Sequence, residues 1–292
     1  MRTMTYKVYF FVLLLAAVIT GCEKSYESIE TEDEKNIQAY IQKNGLNVTQ
    51  YDTTGIYYQI TSTPPEQADS LDYTKQLPII YTVRSLDGAY SSQDTVLNRY
   101  GNYFGYFSPA GIRDIVKRAL KKQGGEIRII VPSRKAYGRS GNKTLGIPGN
   151  ASLDYTIKVL ESKKLPQYED GMIRKYLERE GLTGFTRTES GLFYKILEQG
   201  TGSSITIDST VTTDYTGKLL NGQVFDSRTS SVFSLTDPGL RQGWKEALPL
   251  LKEGGSIRMV FPSPLGYGIT GYSGIPAFSP LDFEVKVTAV SN

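Results

Sequence analysis

The chain has 292 residues, of which 39% are hydrophobic and 22% charged, and this suffices for two domains with separate cores. Its 33 basic and 30 acidic residues give a formal net charge of +3 without a dominant basic run, which argues against a nucleic-acid partner. Histidine is absent and Cys22 is the single cysteine, which excludes histidine-based catalytic or metal sites, intramolecular disulfides and thiolate clusters. We therefore expect a protein that works without a cofactor or metal.

The N-terminal residues have the features of an export signal. A short charged start precedes an apolar stretch from Val8 to Ile19, which is too short for a comfortable membrane span. The next residues, Thr20-Gly21-Cys22, complete a sequence that resembles a bacterial lipobox, in which cleavage before the cysteine precedes lipidation of its thiol. We predict a lipoprotein signal peptide at 1–21, lipidation of Cys22 and a flexible polar tether at 22–33. The alternative is an ordinary cleaved signal with a chance cysteine.

One pattern then occurs twice along the chain. A helical pattern that ends in Gly45-Leu46 recurs with identical spacing before Gly181-Leu182, and each glycine is suited to the left-handed conformation that ends a helix. Further motifs repeat in the same order: Gly55-Ile56-Tyr57-Tyr58 with Gly191-Leu192-Phe193-Tyr194, Tyr81-Thr82-Val83 with Tyr215-Thr216-Gly217, Val131-Pro132-Ser133 with Phe261-Pro262-Ser263, Tyr137-Gly138 with Tyr267-Gly268, and Ile147-Pro148 with Ile275-Pro276. We predict two copies of one module, each a short helix followed by an antiparallel sheet domain with an internal helix.

The second copy resembles the FK506-binding-protein family of peptidyl-prolyl cis-trans isomerases over essentially its whole length. The resemblance is carried by motifs in the family order: Tyr215-Thr216-Gly217, Val224-Phe225-Asp226-Ser227, Phe233-Ser234-Leu235, Gly243-Trp244, Leu265-Gly266-Tyr267-Gly268, Gly274-Ile275-Pro276 and Leu281-Asp282-Phe283. It implies an α+β fold of two tandem domains, each a twisted antiparallel sheet wrapped around a short helix and preceded by another short helix. The expected order is a degenerate domain at 34–162, a linker and helix at 163–190, and an isomerase domain at 191–292.

The resemblance also implies a pocket between helix and sheet in the second copy, with Trp244 as its floor. The catalytic residues would be Asp226, Tyr267 and Phe225, and the substrate-binding residues Tyr215, Phe233, Leu240, Arg241, Trp244, Ile275 and Phe283. Leu240 and Arg241 replace the valine and isoleucine usual in the family, and Tyr272 stands where a histidine is often found. In an arbitrary sequence such aromatic residues would more often belong to a core, and Asp226 would be a turn carboxylate.

The first copy keeps the frame of the fold but not these residues. Tyr90-Ser91 stands in place of the Phe-Asp pair, and no tryptophan is present. We therefore expect a folded domain with weak or no isomerase activity that still offers a shallow peptide cleft. The aromatic stretch from Tyr100 to Phe107 either covers that cleft or presents a partner surface, or else packs into the core.

The sequence thus predicts a foldase that acts on X-Pro bonds of exported proteins, with its activity in the C-terminal domain. Its partners would be proline-containing polypeptides and the membrane through lipidated Cys22, with an FK506-like molecule as a possible ligand. The expected location is the bacterial cell envelope, on the outer membrane or facing the periplasm, and duplicated lipoproteins of this style resemble those of Bacteroidetes. The alternative is a non-catalytic proline-peptide-binding or chaperone module of an envelope assembly.

Overall fold

The computed structural model describes residues 27–292, so the predicted signal peptide and the predicted lipidation site Cys22 lie outside the described residues. Helix α1 (Ile29–Lys43) begins where the side-chain oxygen of Ser28 accepts a hydrogen bond from the backbone N–H of Thr31. The tether prediction is therefore wrong for residues 29–33. Their acidic, polar character is that of a capped first helical turn, not of a flexible segment.

The first sheet has seven antiparallel strands. These are β1 (Thr49–Gln50), β2 (Tyr57–Ser62), β3 (Ile79–Ser85), β4 (Ser91–Ser92), β5 (Arg99–Tyr100), β6 (Glu126–Val131) and β7 (Leu153–Val159). Their spatial order is β1-β2-β6-β7-β3-β4, and β5 also pairs with β3. Helix α2 (Ala110–Leu120) packs on this sheet because its aliphatic residues Ile112, Ile115 and Val116 lie on one buried face.

The second sheet follows helix α3 (Leu165–Arg179) and has six antiparallel strands. These are β8 (Thr186–Arg187), β9 (Phe193–Glu198), β10 (Thr210–Leu219), β11 (Val224–Ser234), β12 (Ser256–Phe261) and β13 (Leu281–Ser291). Helix α4 (Gln242–Ala247) lies between β11 and β12 in the chain and buries Trp244 and Ala247. Between residues 27 and 292, no helix combines the length and apolarity needed to cross a bilayer.

The two sheets share one topology. The order β8-β9-β12-β13-β10-β11 of the second sheet matches β1-β2-β6-β7-β3-β4 of the first, strand for strand. Gly45 and Gly181, which follow the two leading helices, have φ of +59° and +63°, as the repeated helix-ending glycine predicts. The predicted fold class of two tandem antiparallel domains, each led by a helix, is confirmed. We call residues 29–160 the first unit and residues 165–292 the second unit.

Each leading helix places a buried carboxylate against the Pro-Ser corner of its sheet. In the first unit Asp33 accepts hydrogen bonds from the Ser133 hydroxyl at 3.0 Å and the Ser152 hydroxyl at 2.8 Å. In the second unit Glu169, fully buried, accepts from both the backbone N–H and the hydroxyl of Ser263 at 2.7 Å. A buried carboxylate without such donors would be costly, so these bonds fix where each helix lies.

A second contact repeats seven residues further along each helix. The Tyr40 hydroxyl donates to the Asp154 carboxylate at 2.8 Å, and the Tyr176 hydroxyl donates to Asp282 at 2.6 Å. Both aspartates are nearly inaccessible, and Asp282 is also paired with Arg258 at 2.7 Å. The leading helices are therefore integral parts of the two units.

Glu169 should make the stability of the protein fall as the pH rises. Burial raises the pKa of its carboxyl from 4.5 to about 7, although the Ser263 hydrogen bonds act in the opposite direction. Between these pH values the folded state holds a proton that the unfolded state has lost, so the stability decreases with rising pH. We expect Glu169→Gln to gain about 3 kcal/mol relative to the native chain between pH 4.5 and 7.5.

Urea unfolding at several pH values, followed by the fluorescence of Trp244, measures this difference. Glu178→Gln is the control, since Glu178 is exposed on the same helix. The prediction would be contradicted if the free energy of unfolding changed with pH in the same way in the native chain and in both variants.

Candidate functional site

A cleft of about 340 Å³ opens in the second unit between helix α4 and strands β10, β11 and β13. Its lining consists mainly of aromatic residues with a few polar groups: Tyr215, Phe225, Asp226, Phe233, Asp237, Gly239, Leu240, Arg241, Trp244, Tyr267, Tyr272 and Phe283. Such a combination of apolar walls and a few convergent polar groups is typical of sites that bind small ligands or peptide side chains.

The indole of Trp244 forms the floor of the cleft. It is 3% exposed, and its ring centroid lies 5.2 Å from that of Tyr215 and 5.4 Å from that of Phe283, both nearly perpendicular to it. Phe233 packs at 5.2 Å on the same indole. Edge-to-face contacts of this kind fix the orientation of each ring, so the floor and walls are a rigid surface.

The glycine of the Tyr-Thr-Gly motif makes room for two walls. A Cβ atom at Gly217 would lie 2.6 Å from the Phe225 ring and 2.7 Å from the Phe283 ring, closer than carbon atoms approach without displacement. The register of β10 on β11 also shifts beside Gly217. The cleft therefore requires a glycine at this position, because any side chain would displace the two aromatic rings.

The carboxylate of Asp226 stands at the rim of the cleft between two donors. The Tyr215 hydroxyl donates to one oxygen at 2.7 Å, and the Arg228 guanidinium donates to the other at 3.2 Å. Burial acts to raise the pKa of Asp226, but these hydrogen bonds and the Arg228 charge outweigh it and hold the pKa below its usual value. Burial and the Asp226 bond raise the pKa of Tyr215 to about 12. At neutral pH the site thus contains an ionised carboxylate and a protonated phenol.

Two tyrosines and an arginine form another part of the rim. The rings of Tyr267 and Tyr272 stack at 5.3 Å with an interplanar angle of 12°, and the Arg241 guanidinium lies 4.8 Å from the Tyr267 centroid. Burial raises the pKa of Tyr267, so its hydroxyl remains a donor at neutral pH. This rim offers hydrogen-bond donors to a carbonyl group.

The cleft brings together every predicted site residue of the second copy except Ile275. That residue is 6% exposed and packs in the core of the second unit, and it does not line the cleft. The sequence analysis left Asp237, Gly239 and Tyr272 out of the site. The Asp-Pro-Gly turn before Leu240 carries a local signal for the first two, since Asp237 accepts from the Gly239 N–H at 2.7 Å. The stacking of Tyr272 has no sequence signal.

The first unit has a corresponding cleft of about 290 Å³ with different chemistry. Its lining residues are Tyr81, Val83, Tyr90, Ser92, Asn98, Tyr100, Tyr106, Phe107, Ser108, Tyr137, Asn142, Leu145, Ile147 and Tyr155. This lining contains neither a carboxylate nor an indole. Val83 occupies the place of Gly217, and Tyr90-Ser91 the place of the Phe-Asp pair.

The aromatic stretch of the first unit combines two of the roles considered from the sequence. Phe104 is fully buried in the core, where its ring stacks on Tyr73 at 5.5 Å. Tyr100, Tyr106 and Phe107 line the cleft, and Tyr106 is 74% exposed. The segment is therefore partly core and partly cleft wall.

Comparison with known proteins places these features in a family. The family model described as FKBP-type peptidyl-prolyl cis-trans isomerase matches residues 108–160 and 202–288. A probable FKBP-type isomerase of Haemophilus influenzae is 45% identical over 108 residues, which cover 36% of this chain and 44% of that protein. A probable isomerase FkpA of Neisseria meningitidis serogroup B is 32% identical over 187 residues, which cover 59% of this chain and 68% of that protein.

Among solved structures, FkpA from Escherichia coli is 32% identical, with a TM-score of 0.39 and coverage of 44% of this chain and 62% of that one. The three FKBP domains of wheat FKBP73 align over 84% of this chain and 99% of that one, with 19% identity and a TM-score of 0.34. The chain spans about half the length of several curated relatives, 47% for an FkpA of Buchnera aphidicola.

A two-unit antiparallel fold with an aromatic cleft floored by tryptophan thus coincides with a family model and with relatives of the same name. The chain belongs to the FKBP-type peptidyl-prolyl cis-trans isomerase family.

The hydrogen bond from Tyr215 should set the acidity of Asp226. Tyr215→Phe keeps the ring that contacts Trp244 but removes the donor, so we expect the pKa of the Asp226 carboxyl to rise towards that of an ordinary aspartate. Carboxyl carbon shifts followed by NMR titration measure this change. Tyr194→Phe, in strand β9 of the same sheet, is the control and should leave Asp226 unchanged. Identical titration curves for Asp226 in all three proteins would contradict the assignment.

Proposed function

We propose that the protein is a peptidyl-prolyl cis-trans isomerase whose activity resides in the cleft of the second unit. The observation that carries this proposal is the Trp244 floor, walled by Tyr215, Phe233 and Phe283, with the ionised Asp226 at its rim. Such a site offers an apolar surface on which a proline ring can pack, with the fixed negative charge of Asp226 beside it.

The chemistry of the reaction suits such a cleft. Rotation about an X-Pro bond faces a barrier of about 18–20 kcal/mol because the planar amide is resonance-stabilised. In the twisted transition state nitrogen and carbonyl are decoupled, and the amide is less polar than when planar. A rigid apolar cleft therefore disfavours the planar amide relative to the twisted one and requires neither a covalent intermediate nor a catalytic base.

The groups around the floor have separate tasks in this proposal. The proline ring sits on the Trp244 indole, which fixes the nitrogen side of the rotating bond. The Tyr267 hydroxyl and backbone N–H groups near Arg241 bind substrate carbonyls, and Asp226 orients the rotating amide electrostatically. Because Asp226 is itself held by Tyr215, it acts from a preorganised position.

The substrates in this proposal are proline-containing segments of exported proteins. Cys22 anchors the chain to the bacterial cell envelope, on the outer membrane or facing the periplasm. The first domain, 34–162, has no significant catalytic activity. Residues 163–190 form the linker and helix that join it to the isomerase domain, residues 191–292. The absence of a carboxylate and an indole from the lining of the first cleft supports this division.

Loss of the Asp226 charge should reduce catalysis in a soluble form of the mature chain, which lacks residues 1–22 and therefore also Cys22. We expect Asp226→Asn to lower kcat/KM by roughly tenfold or more in a protease-coupled proline isomerisation assay, because the fixed charge beside the amide is lost. Asp208→Asn, an exposed aspartate of the same unit, is the matched control. FK506 should inhibit the native chain by occupying the cleft.

A folded native chain without catalysis would overturn the enzyme proposal. It would leave a non-catalytic proline-peptide-binding or chaperone module of an envelope assembly as the better account.

The two clefts should respond differently to the same substitution. Tyr267→Phe removes a carbonyl donor from the second cleft, and we expect kcat/KM to fall roughly threefold to tenfold. Tyr137 occupies the corresponding place in the first cleft. Tyr137→Phe should therefore leave kcat/KM within about twofold of the native value. A comparable loss in both variants would show that the first cleft also catalyses the reaction.

A further inference from the structure

The segment that follows Tyr267 contains a residue with positive φ whose identity differs between the two units. Phe278 has φ of +37°, and its N–H donates to the Gly268 carbonyl at 3.1 Å. In the first unit the corresponding residue is Asn150, with φ of +57°, and its N–H donates to the Gly138 carbonyl at 2.8 Å. Asparagine is a common residue in this left-handed region, whereas a bulky phenylalanine is an outlier there. The second unit therefore needs an additional stabilising interaction at this turn.

The first unit supplies that interaction through Arg99. The Arg99 guanidinium donates a hydrogen bond to the Phe278 carbonyl oxygen and lies 5.0 Å from the centroid of the Phe278 ring. Arg99 is 8% exposed and the Phe278 side chain is fully buried, whereas Asn150 is exposed. Phe278 lies in one apolar cluster with Ile80 and Leu160 of the first unit and with Leu165, Tyr168, Ile269 and Ala277 of its own unit.

A glycine beside Arg99 allows the two units to approach this closely. A Cβ atom at Gly101 would lie 1.8 Å from the Ile269 carbonyl oxygen and 2.7 Å from the Ala277 Cβ. Its three nearest atoms all belong to the second unit. Asp94 adds a polar contact, since its carboxylate accepts from the Asn221 side-chain amide at 2.8 Å. The backbone of the first unit therefore packs directly on residues 266–280.

These contacts lead in three steps to the rim of the cleft. Arg99 binds the Phe278 carbonyl, the Phe278 N–H binds the Gly268 carbonyl, and Gly268 follows Tyr267 in the chain. Tyr267 stacks on Tyr272, which belongs to the same loop. The position of both tyrosines thus depends on a turn that the first unit holds.

We propose that the first unit positions the catalytic cleft of the second. Arg99 and Gly101 are positioning residues that hold the segment 266–280, and with it the Tyr267 hydroxyl, in the geometry required by a substrate carbonyl. The functional consequence rests on the isomerase function proposed above, whereas the ordering of the segment does not.

Hydrogen exchange of the mature chain tests the ordering directly. In Arg99→Ala we expect the amides of residues 266–280, and that of Phe278 above all, to exchange roughly tenfold faster or more, because a charged hydrogen bond and a buried cation–π contact are lost. Gly101→Ala should have the same effect by forcing the units apart. The matched controls are Arg118→Ala, exposed on helix α2, and Gly111→Ala, whose added Cβ meets open space.

The isomerisation assay tests the consequence for the cleft. We expect kcat/KM to fall roughly threefold to tenfold in Arg99→Ala and Gly101→Ala and to remain unchanged in both controls. If Arg99→Ala unfolds the first sheet, Gly101→Ala decides, because the three atoms nearest to its added Cβ all belong to the second unit. Native exchange rates at 266–280 in a folded Gly101→Ala chain would overturn the proposal. A native chain without catalysis would overturn the isomerase function instead, and the exchange rates would still report the ordering.

Discussion

The structure of each unit depends on one buried aspartate that must be paired. Asp282 is 2% exposed and is held by Arg258 at 2.7 Å and by the Tyr176 hydroxyl at 2.6 Å. Removing Arg258 would leave a buried charge without a counter-charge, and removing the Tyr176 hydroxyl would leave one Asp282 oxygen short of a donor, so strand β13 has one acceptable register against helix α3. Because side chains alternate along a strand, the next residue, Phe283, then points into the cleft. Asp154 fixes Tyr155 in the first cleft in the same way.

The duplicated scaffold shows how one fold carries two chemistries. The strands and leading helices correspond in both units, but Gly217 corresponds to Val83 and the Phe225-Asp226 pair to Tyr90-Ser91. These differences lie on the cleft surface, where a change of side chain alters shape and charge without disturbing the sheet. The second unit combines an aromatic floor with an ionised carboxylate, whereas the first has a cleft lined by tyrosine hydroxyls and amides.

The contact between the units gives the first one a role that does not require catalysis. Phe278 adopts a left-handed conformation that suits its counterpart Asn150 better, and its buried ring packs in a cluster that includes Ile80 and Leu160 of the first unit. In the second unit the backbone of this turn is less favourable than in the first, and packing between the units compensates for the difference. Residues 266–280, which carry the rim of the cleft, are thereby tied to a neighbour that lies outside the cleft itself.

The sequence by itself determined the repeat, the helix-ending glycines Gly45 and Gly181, the fold class and nearly all of the cleft wall. The repeat and the helix ends follow from local periodicity and repeated motifs, whereas the residues of the cleft wall were implied by the resemblance of the second copy to the FK506-binding-protein family. Only the tertiary structure decided that Ile275 belongs to the core, that Tyr272 stacks on Tyr267, and that Arg99 reaches Phe278. Such contacts join residues that are far apart in the chain or that lie on loops without a periodic pattern. The relative placement of the packed helices, strands and loops decides which residues come into contact. A local sequence pattern does not specify that placement.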